Sequence, residues 1–559
     1  MKYQAPIDST LFLLRDVLGF DNENTEAILT EAAKLCEDVI APTNQDGDKE
    51  GCWFGTAEPG SKETGVLVPE CFHEPYKKFS EGGWIGLSVP EEYGGQGLPY
   101  TLAAAVNEFV SSSNMAFSMF PGLTRGAIQA LLAVASEPYK QHYIPRMASG
   151  EWTGTMCLTE PHCGTDLGLL KTKAVDKQNG SYEITGQKIF ISCGDHDLTD
   201  NIIHLVLARV EGDPEGVKGI SLFVVPKTLV DFSRNKVSVG SIEEKMGIHG
   251  SPTCVMNFDG ATGFLVGERC KGLQAMFVMM NEARLGVAVQ GLSQSELTYQ
   301  NALEYAKERI QSSRLTDPKG KSVAIIEHPD VRRMLMDIRC INEAARLLVL
   351  EAAMLVDKDD ESSQDLLGLM TPVLKGVLTD YGFENAVKAQ QVFGGHGYIK
   401  EWGMEQIVRD ARIAMIYEGT NGVQALDLVG RKLPKNMGRG VMKFFKDNED
   451  LINRAYFETE NNVIIQPVTL ALNELKQATE WLMHNAIKNP NNAGSASYDY
   501  MKMFGLVMLG LAHIKIVSNT DDKTRHDNAK YFVERILPET SFLLKRIKEG
   551  SDTMMGAEF

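Results

Sequence analysis

Residues 181–192 have the sequence Ser-Tyr-Glu-Ile-Thr-Gly-Gln-Lys-Ile-Phe-Ile-Ser, in which apolar and polar side chains alternate as they do along a half-buried β-strand. Three more short β-type runs follow, each bounded by Gly, Asp or Asn: Asn201–Val210, Gly219–Pro226 and Thr253–Asp259. This clustering predicts a β-domain between about residues 151 and 270.

Outside the β-domain, apolar residues recur with the period of an α-helix. Helical spacing is found over Thr25–Ile40 with Pro42 as a stop, over 100–149, in a stripe starting at Leu273, over Val331–Val356, over Leu366–Val392 and over about 440–548. Between the first two of these, residues 44–69 are rich in Gly, Asp, Lys and Glu and show little periodicity. They therefore predict a long surface loop.

The order of these segments predicts an α+β fold class in four parts. An N-terminal α-domain covers residues 1–150, a middle β-domain covers 151–270, a helical bundle covers 271–435, and an additional C-terminal helical module covers 436–559. A chain of 559 residues is long enough for this arrangement, since a domain takes roughly 100–200 residues.

The composition is typical of a soluble globular protein, with 43% hydrophobic and 23% charged residues. Asp and Glu outnumber Lys and Arg by 74 to 56, and the net charge of -18 disfavours nonspecific binding to nucleic acid or to an anionic membrane. The nine cysteines form no Cys-x-x-Cys pair. Their pattern indicates reduced thiols, not a disulfide framework or a zinc site.

The first twenty residues contain an apolar run of only four residues before Arg15 and Asp16, which is too short for a secretory signal. The acidic residues Asp8, Asp16 and Asp21 are untypical of a transit peptide. The longest uncharged apolar stretch, near Met503–Ala512, is too short to span a bilayer. We therefore expect a cytoplasmic protein without membrane insertion.

Two segments near the β-domain combine residues suited to ligand binding, although each also has an ordinary structural explanation. Residues 156–166 (MCLTEPHCGTD) put Thr159, Gly164 and Thr165 on a tight turn. Its hydroxyls and backbone N–H groups suit an electron-rich ring and phosphates, or simply cap the turn. Residues 186–192 (GQKIFIS) offer the ring of Phe190 and a hydroxyl at Ser192, or form a plain strand.

Two other segments lie in the helical bundle. The glycines of residues 390–398 (QQVFGGHGY) permit a ligand to approach the backbone closely, or end a helix. In residues 409–422 (RDARIAMIYEGTNG), the lone carboxylate of Glu418 follows an apolar stretch, and Thr420 is placed to cap a helix at Asn421–Val429. Most glutamates in such a setting are solvated loop residues.

In their joint order over about residues 40–430, the four segments resemble the acyl-CoA dehydrogenase family. That family has a CLTEPxxGSD-like flavin segment, a GxKxxIS-like strand, a QxxGGxGY-like turn and an RDxRxxxIYEGT-like catalytic loop. The start of the chain, the segment Lys245–Gly250 (KMGIHG) and the extended C-terminal module resemble more particularly the 3-methylmercaptopropionyl-CoA dehydrogenase branch. The resemblance implies FAD as cofactor, an acyl-CoA as substrate, a trans-2-enoyl-CoA as product and an electron-transfer flavoprotein as electron acceptor.

By this resemblance, Glu418 is the catalytic base that removes a proton from Cα of the thioester. An α-proton is weakly acidic, so the base benefits from a raised pKa, which apolar walls at Ile416 and Tyr417 would provide. The resemblance also implies that the backbone N–H of Glu418 and a ribityl hydroxyl of FAD bind the thioester oxygen. The substrate-binding residues that it implies are Arg284, Tyr417 and Gly419.

A larger set of residues is assigned to FAD by the same resemblance. In this sequence its members are Leu158, Thr159, Gly164, Thr165, Phe190, Ser192, Arg309, Gln391, Gly394, Gly395 and Thr420. In the family, the turn at Gln391–Gly395 and the Arg at the position of Arg309 contact the FAD of a neighbouring subunit. The resemblance therefore implies a homodimer or a larger homo-oligomer.

The sequence departs from the family pattern at several positions. Thr165 replaces the usual Ser and Phe190 the frequent Trp, so a hydroxyl and a stacking surface remain while an indole donor is lost. The pair after the catalytic loop, which commonly ends in Gln, is Asn421-Gly422 here. This change argues against a side-chain contact to the adenosine half of FAD. Residues 310–314 (IQSSR) lack the usual Phe-Gly, which argues against part of the cross-subunit contact.

Three other features have simpler explanations. The segment Asp195–Asp197 (DHD) alternates in direction and lacks the rest of a metal site, so we expect a solvated loop. Cys157 and Cys163 flank the flavin segment without a matched base, so we expect buried thiols. Arg284 matches the family Arg beside the substrate, but it equally fits a salt bridge to Glu282 or to a neighbouring helix.

Two alternative functions stay open from the sequence. An acyl-CoA oxidase would carry the same motifs, because access of oxygen to the reduced flavin depends on the shape of the pocket. A noncatalytic acyl-CoA-binding protein is disfavoured by the intact segment Tyr417–Thr420. The acyl group is 3-methylthiopropanoyl or a short, medium or long fatty chain, and we expect the region Met115–Thr124 to set its length.

Overall fold

The computed structural model describes residues 1–20, 22–56, 64–358, 360–458 and 462–559. Within these ranges the chain divides into two compact units. We call them the helical unit, which comprises Met1–Ala33, Ala104–Ser112 and Val287–Phe559, and the sheet unit, which comprises Lys34–Ala103 and Ser113–Gly286. The four domain ranges expected from the sequence stay a prediction.

Strands are found in the sheet unit. A two-stranded antiparallel sheet is formed by β1 (Trp53–Thr56) and β2 (Thr64–Leu67). A seven-stranded sheet is formed by β3 (Trp152–Cys157), β4 (Lys173–Asp176), β5 (Tyr182–Ser192), β6 (Asn201–Val210), β7 (Ile220–Pro226), β8 (Val237–Ile242) and β9 (Thr253–Val266).

The larger sheet closes on itself. Strand β6 pairs with both β4 and β7, and the path from β4 through β5 and β9 returns to β7. Strand β3 lies parallel to β6, and β8 lies antiparallel to β9. The apolar side chains of these strands bury a continuous core that includes Val206, Ala208, Phe223, Val225 and Phe258. This core holds the ends of β3 and β5, where the predicted flavin residues lie.

The helices follow in chain order. They are α1 (Ile7–Phe12), α2 (Thr25–Leu35), α3 (Thr43–Glu50), α4 (His73–Glu81), α5 (Tyr100–Ser113), α6 (Met115–Val134), α7 (Glu137–Ala148), α8 (Gly272–Glu308), α9 (Pro329–Val356), α10 (Glu361–Phe393), α11 (Gly395–Tyr398), α12 (Met404–Ala414), α13 (Asn421–Asp427), α14 (Arg439–Glu458), α15 (Asn462–Ala486), α16 (Pro490–Val517), α17 (Lys523–Arg535), α18 (Glu539–Lys548) and α19 (Asp552–Met555). Short π-helical turns continue α1, α2 and α13 at Leu13–Val17, Cys36–Ile40 and Leu428–Lys432.

Helix α10 is central to the helical unit, since it packs against α9, α12, α13 and α16. Its apolar stripe was apparent in the sequence, as were those of α8 and α9, because each buries one or more faces over many turns. The catalytic loop expected between residues 409 and 422 joins α12 to α13. It therefore lies on two helices that both contact α10.

The predicted surface loop at residues 44–69 is wrong for most of its described part. Helix α3 begins at Thr43, and strands β1 and β2 follow. Helix α3 shows no apolar stripe because it packs through Gly47, which has no side chain. The ring of Phe72 lies so close that a Cβ built on Gly47 would be 2.5 Å from it. Residues 57–63 of the expected loop lie outside the described residues, as does Asp21 of the N-terminal argument.

Helix α16 is, among the described residues, long and apolar enough to cross a membrane by length and composition. The sequence argument considered only its uncharged part near Met503–Ala512 and judged it too short, which does not hold for the whole helix. Within the protein, 89% of its most apolar window is buried. Its apolar character therefore has an explanation in the packing of the C-terminal helices α14–α18 around it.

Candidate active site

The loop between α12 and α13 has a strained backbone at the expected base. Helix α12 closes when the N–H groups of Ile416 and Tyr417 donate to the carbonyl of Ile413 at 2.8 and 3.1 Å. Glu418 then has a φ of +56° and Gly419 a φ of +85°. A residue other than glycine rarely adopts positive φ, and such strain persists only where the surroundings fix it. The turn thus holds Glu418 in a conformation that few other described residues adopt.

Three side chains from the helical unit fix this turn. The amide of Gln424 donates to the Glu418 carbonyl at 2.8 Å, and the Lys375 ammonium donates to the Gly419 carbonyl at 2.7 Å. The hydroxyl of Tyr417 donates to the side-chain oxygen of Gln290. Thr420, the expected cap, accepts from the N–H of Val423 at 3.3 Å and begins α13. The carbonyls of Glu418 and Gly419 are therefore both held by side chains.

The side chains around the expected base are only partly enclosed by the described chain. Glu418 is half-buried, and 45% of Ile416 is exposed. Burial raises the pKa of Tyr417, and the neighbouring carboxylate of Glu418 raises it further. Tyr417 is therefore a neutral, hydrogen-bonded wall. The role of Glu418 as base and its raised pKa stay predictions.

Sequence reasoning missed Lys375, which is fully buried in α10. Besides the Gly419 carbonyl, its ammonium binds the side-chain oxygen of Asn421 at 2.8 Å. A buried cation must be paired to offset its loss of hydration. The signal was a single Lys within the apolar run of residues 369–378, but the sequence does not say which partner it finds.

The flavin segment begins where β3 ends. Leu158 is 9% exposed, and the carbonyl of Thr159 accepts from the N–H of Ile189 at 2.9 Å, which ties the segment to β5. Glu160 and Cys163 exchange two backbone hydrogen bonds of 2.9 and 3.0 Å and close a tight turn. The two segments that the sequence singled out near the β-domain, residues 156–166 and 186–192, are thus adjacent within the sheet unit.

A buried ion pair, also missed from the sequence, stabilises this turn. The Lys188 ammonium lies 2.9 Å from a carboxylate oxygen of Glu160 and 2.9 Å from the carbonyl of Leu158. Glu160 also accepts from the N–H groups of Lys171 and Thr172 and from the Thr172 hydroxyl, at 2.8, 3.0 and 2.6 Å. Burial works against the carboxylate, but Lys188 and these donors outweigh it and hold the pKa of Glu160 below its usual value.

Strand β5 departs from plain alternation at the predicted ring. The register against β9 shifts between Lys188 and Ile191, and Phe190 inside this irregularity has a φ of +57°. As a result, 60% of the Phe190 side chain is exposed. Ser192, at the end of the strand, is half-buried. A bulge of this kind re-aims a side chain and is common beside functional sites.

The sheet-unit residues fit a flavin. Among the described residues, no side chain or backbone group hydrogen-bonds the hydroxyl of Thr159 or Ser192, so both can serve a ligand. A Cβ built on Gly164 would meet only the methyl of Thr159, at 3.8 Å, so the turn leaves room for close approach. Thr165 beside it is exposed. An aromatic face, two free hydroxyls and an open glycine turn match the needs of a planar ring carrying phosphates.

The glycine turn after α10 is open as well. Gln391, Gly394 and Gly395 are exposed, and a Cβ at either glycine would meet no atom within 4 Å. Tyr305 supports the turn from behind, stacked on Phe393 at 4.2 Å. Its hydroxyl also lies 2.9 Å from Nδ1 of His396.

Arg309 lies one helical turn after Tyr305, since its N–H donates to the Tyr305 carbonyl at 2.9 Å, and its side chain is exposed. Arg309 and the turn at Gln391–Gly395 are thus both accessible, and Thr420 at the start of α13 is exposed as well.

Arg284 is buried, with 5% of its surface exposed. The alternative pairing with Glu282 gains no support from the electrostatics, because the cation that acts on Glu282 is Arg125 of α6. Burial raises the pKa of Glu282 to about 7, and Arg125 limits the increase. The substrate role of Arg284 stays a prediction.

The expected solvated loop at Asp195–Asp197 is wrong, because Asp195 and His196 are buried. Asp195 pairs with Lys227, and Nε2 of His196 lies 2.9 Å from the Thr153 hydroxyl. Asp197 accepts from the N–H of Val68 at 3.0 Å. These polar groups satisfy one another inside the sheet unit, which the sequence pattern did not reveal.

The buried thiols were predicted correctly. Cys157 and Cys163 are 0% and 4% exposed, and burial raises the pKa of Cys157 to about 12. Burial also raises the pKa of Cys163. A thiol of raised pKa is a poor nucleophile, so neither is a candidate for catalysis.

Four family models match this chain in order. They are the acyl-CoA dehydrogenase N-terminal domain over residues 22–151, the middle domain over 155–261, the C-terminal domain over 270–433 and the acetyl-CoA dehydrogenase C-terminal-like domain over 444–558. The last of these covers α14–α18, so the additional module has a model of its own.

The chain is 37% identical over 597 residues to the 3-methylmercaptopropionyl-CoA dehydrogenase of Ruegeria pomeroyi, with 100% of both chains covered. The solved structure of Caenorhabditis elegans ACDH-11 in complex with C11-CoA has the same fold, with a TM-score of 0.85, 20% identity and coverage of 99% of this chain and 95% of that one. An acyl-CoA dehydrogenase from Bacillus anthracis complexed with FAD has a TM-score of 0.76, 20% identity and coverage of 100% and 91%.

These likenesses confirm the predicted α+β fold with its extra helical module, the oxidoreductase class acting on CH–CH donors and FAD as the cofactor. Because the match extends over the full length of a curated relative and all four models occur in register, the chain belongs to the acyl-CoA dehydrogenase family.

Proposed function

We propose that this protein oxidises an acyl-CoA thioester to its trans-2-enoyl-CoA, with 3-methylthiopropanoyl-CoA as the first substrate to test. The observation that carries the proposal is the strained turn at Glu418 and Gly419, whose two carbonyls are both held by side chains. The acyl group is suggested by the name of the full-length Ruegeria pomeroyi relative. A short, medium or long fatty acyl group is the other possible outcome of the substrate test.

Glu418 removes the proton from Cα in this proposal. As the proton leaves, negative charge develops on the thioester oxygen, and the backbone N–H of Glu418 donates to that oxygen. Because Gln424 and Lys375 hold the carbonyls of Glu418 and Gly419, the turn that carries the base needs no reorientation at each turnover. Bound FAD supplies the acceptor for the hydride that leaves Cβ.

Tyr417 and Gly419 define the position of the carboxylate and contact the substrate. The Tyr417 ring is fixed through Gln290, so it presents a neutral face next to Glu418. Exclusion of water from this face would raise the pKa of Glu418 towards the working pH, which a general base requires. We assign Arg284 of α8 to substrate binding, as a local cation.

FAD binding is assigned to two sets of residues. The flavin set lies in the sheet unit and comprises Leu158, Thr159, Gly164, Thr165, Phe190 and Ser192. The second set lies in the helical unit and comprises Arg309, Gln391, Gly394, Gly395 and Thr420. We propose that the turn at Gln391–Gly395 and Arg309 contact the FAD of a neighbouring subunit, which requires a homodimer or a larger homo-oligomer. The exposure of this turn supports that assignment.

Electrons pass from the reduced enzyme to an electron-transfer flavoprotein in this proposal, and the reaction takes place in the cytoplasm. The net charge of -18 supports a protein that neither binds nucleic acid nor inserts into a membrane. Nine cysteines without a disulfide among the described residues are compatible with a reducing compartment.

The test is a panel of acyl-CoA thioesters that includes 3-methylthiopropanoyl-CoA, assayed with an artificial electron acceptor. We expect one chain-length class to reduce the flavin fastest under anaerobic conditions. Stoichiometric peroxide in air without another acceptor would instead indicate an oxidase. Binding without flavin reduction by any thioester would indicate a noncatalytic acyl-CoA-binding protein.

The Glu418→Gln variant tests the base. The amide keeps the shape but cannot accept the proton, and loss of a general base typically costs on the order of 10²–10⁴-fold in rate. FAD should remain bound, and its spectrum should still shift when acyl-CoA is added. Glu401→Gln, at an exposed glutamate before α12, is the matched control. Near-normal flavin reduction by the Glu418 variant would place the base elsewhere, with Glu282 tested next.

A further inference from the structure

Helix α16 of the C-terminal module packs directly against the segment of α10 that holds the catalytic loop. A Cβ built on Gly376 of α10 would lie 2.4 Å from the Met501 methyl of α16, and one built on Gly505 of α16 would lie 2.6 Å from Val377. Real Cβ atoms do not approach other atoms this closely. The contact at Gly505 therefore needs a glycine, because the branched side chain of Val377 cannot move aside, whereas a side chain at Gly376 would displace the end of Met501. Helix α16 thus lies beside Lys375.

A continuous hydrogen-bond chain runs from this contact to the base. The Tyr498 hydroxyl of α16 donates to Asp380 of α10. The other oxygen of Asp380 accepts from the Asn421 amide at 2.8 Å. The Asn421 oxygen accepts from the Lys375 ammonium at 2.8 Å, and Lys375 donates to the Gly419 carbonyl at 2.7 Å. Gly419 directly follows Glu418, so this series of hydrogen bonds ends at the strained turn.

The residues joined by these hydrogen bonds differ in their exposure to solvent. Lys375 and Asn421 are 0% and 4% exposed, so their hydrogen bonds have little competition from water. Asp380 is half-buried, and burial raises its pKa while the hydrogen bonds from Tyr498 and Asn421 oppose that increase. Tyr498 is 39% exposed and lies at the surface end of this series of hydrogen bonds. Removing its hydroxyl withdraws one of the donors that keep Asp380 ionised.

We propose that the C-terminal module takes part in catalysis, with Tyr498 as a positioning residue that acts through Asp380, Asn421 and Lys375 on the turn at Glu418. The inference rests on the proposed role of Glu418 as base. It goes beyond a structural function for the module, because it connects one of its hydroxyls to the orientation of the carboxylate. Orientation matters since small displacements of a reacting group have large effects on rate.

The chain offers a matched control for Tyr498. Tyr531 lies in α17 of the same module, and its hydroxyl donates to Asp337 of α9 at 2.7 Å. Both tyrosines thus join the module to a core helix through an aspartate. Asp337 interacts with Arg333 and Lys388, and no hydrogen bond among the described residues connects it to the catalytic loop. A purely structural contribution should be the same for both.

The experiment compares the holoenzymes Tyr498→Phe, Tyr531→Phe and Asp380→Asn, using the thioester that the panel reduces fastest. We measure the rate of flavin reduction at saturating substrate, the substrate Kd from the flavin spectrum, the α-deuterium isotope effect and the FAD content. Tyr498→Phe should slow flavin reduction about threefold to tenfold, the equivalent of one hydrogen bond, with the Kd unchanged. Its α-deuterium isotope effect should rise, because removal of the proton becomes slower.

Asp380→Asn should slow the reaction at least as much as Tyr498→Phe, and Tyr531→Phe should stay close to the unmodified enzyme. If the two Tyr→Phe variants reduce flavin equally fast while Glu418→Gln is inactive, the inference is overturned and the proposed function stands. If Glu418→Gln reduces flavin at a near-normal rate, the assignment of the base fails and the inference fails with it.

Discussion

Replacing Lys188 by Met removes the only cation of the buried pair behind the flavin segment while keeping most of the side-chain volume. The Lys188 side chain is 0% exposed and that of Glu160 is 2% exposed. After the change, Glu160 keeps its three donors from Lys171 and Thr172. It loses the ammonium of Lys188, and the ring of His162, whose Nε2 lies 3.5 Å from the carboxylate, carries an opposite charge only when it is protonated. The carbonyl of Leu158 also loses the donor at 2.9 Å.

The expected loss can be worked out from these contacts. Breaking one partner of a buried pair typically destabilises a protein by about 3–5 kcal/mol, and an unsatisfied buried carbonyl contributes about 1–3 kcal/mol of such a cost. Because Glu160 retains three hydrogen bonds, we expect the low end, about 3 kcal/mol at neutral pH. That is roughly a hundredfold change in the unfolding equilibrium. FAD should also bind about tenfold more weakly, since the turn at Leu158 is no longer anchored.

The loss of stability caused by Lys188→Met should become smaller as the pH falls. In the unmodified protein the pKa of Glu160 is lowered on folding, so its stabilising contribution is present above the ordinary carboxyl pKa of about 4.3 and is lost as the pH falls through the folded value. Without Lys188, burial dominates and raises this pKa. The carboxyl of the variant then takes up a proton on folding, which relieves the penalty. The difference between the two proteins should therefore be largest near pH 8 and shrink towards pH 4.

The assay is urea unfolding followed by tryptophan and flavin fluorescence at one fixed FAD concentration, because bound ligand itself adds stability. Lys177→Met is the control: Lys177 pairs with Glu183 of the same strand β5 at 3.0 Å, with side chains 47% and 43% exposed. Such an exposed pair contributes at most about 1 kcal/mol. A Lys188→Met protein that unfolds like the Lys177→Met protein, or whose deficit stays constant down to pH 4, would refute the reasoning.

Three further predictions concern FAD, assembly and the catalytic turn. Denaturation should release FAD into solution, seen as free flavin after the protein is removed, because the Thr159 and Ser192 pattern contains no attachment residue; flavin that stays with the chain would contradict this. Light scattering should give a dimer or larger species, and dissociation should release flavin, whereas a monomer with stoichiometric FAD would contradict a contact between subunits at Gln391–Gly395. Gly419→Ala should lower the rate of flavin reduction and cost about 1–3 kcal/mol of stability, because its φ is +85° and its Cβ would lie 2.7 Å from the Gln424 amide; normal kinetics would show that the turn tolerates a side chain.

Strands β5, β6, β7 and β9 and the long helices could be predicted from the sequence because their signals are local. Asn201–Val210 is a strand over the whole predicted range, and the stripe beginning at Leu273 is α8. Strands β1, β2, β3, β4 and β8 were missed because runs of four to six residues are too short for a period to show. Helix α3 was missed because its fit depends on the ring of Phe72, and the sequence does not place that ring against Gly47.

The motif residues proposed for the site could be named for the same reason, whereas the residues that hold them in place could not. Lys188 lies 28 residues from its partner Glu160, and Lys375 lies 44 residues from Gly419. Lys375 interrupts an apolar run and Lys188 lies in an alternating strand, and a lysine in either setting by itself suggests a solvated position. Their burial follows from a partner that only the fold supplies. Long-range pairing of charges is therefore the part of the site that residue patterns could not predict.

Asn421 has a structural role that its departure from the family pattern did not reveal. From the sequence, the Asn421-Gly422 pair argued against a side-chain contact to the adenosine half of FAD, which stays a prediction. In the structure the Asn421 side chain is 4% exposed and is committed to Lys375, Asp380 and the Gly376 carbonyl. All three partners belong to α10, the helix against which α16 packs. The residue at this position therefore ties the start of α13 to the helix that supports the additional module, and a side chain reaching towards a cofactor would leave Lys375 and Asp380 without their common partner.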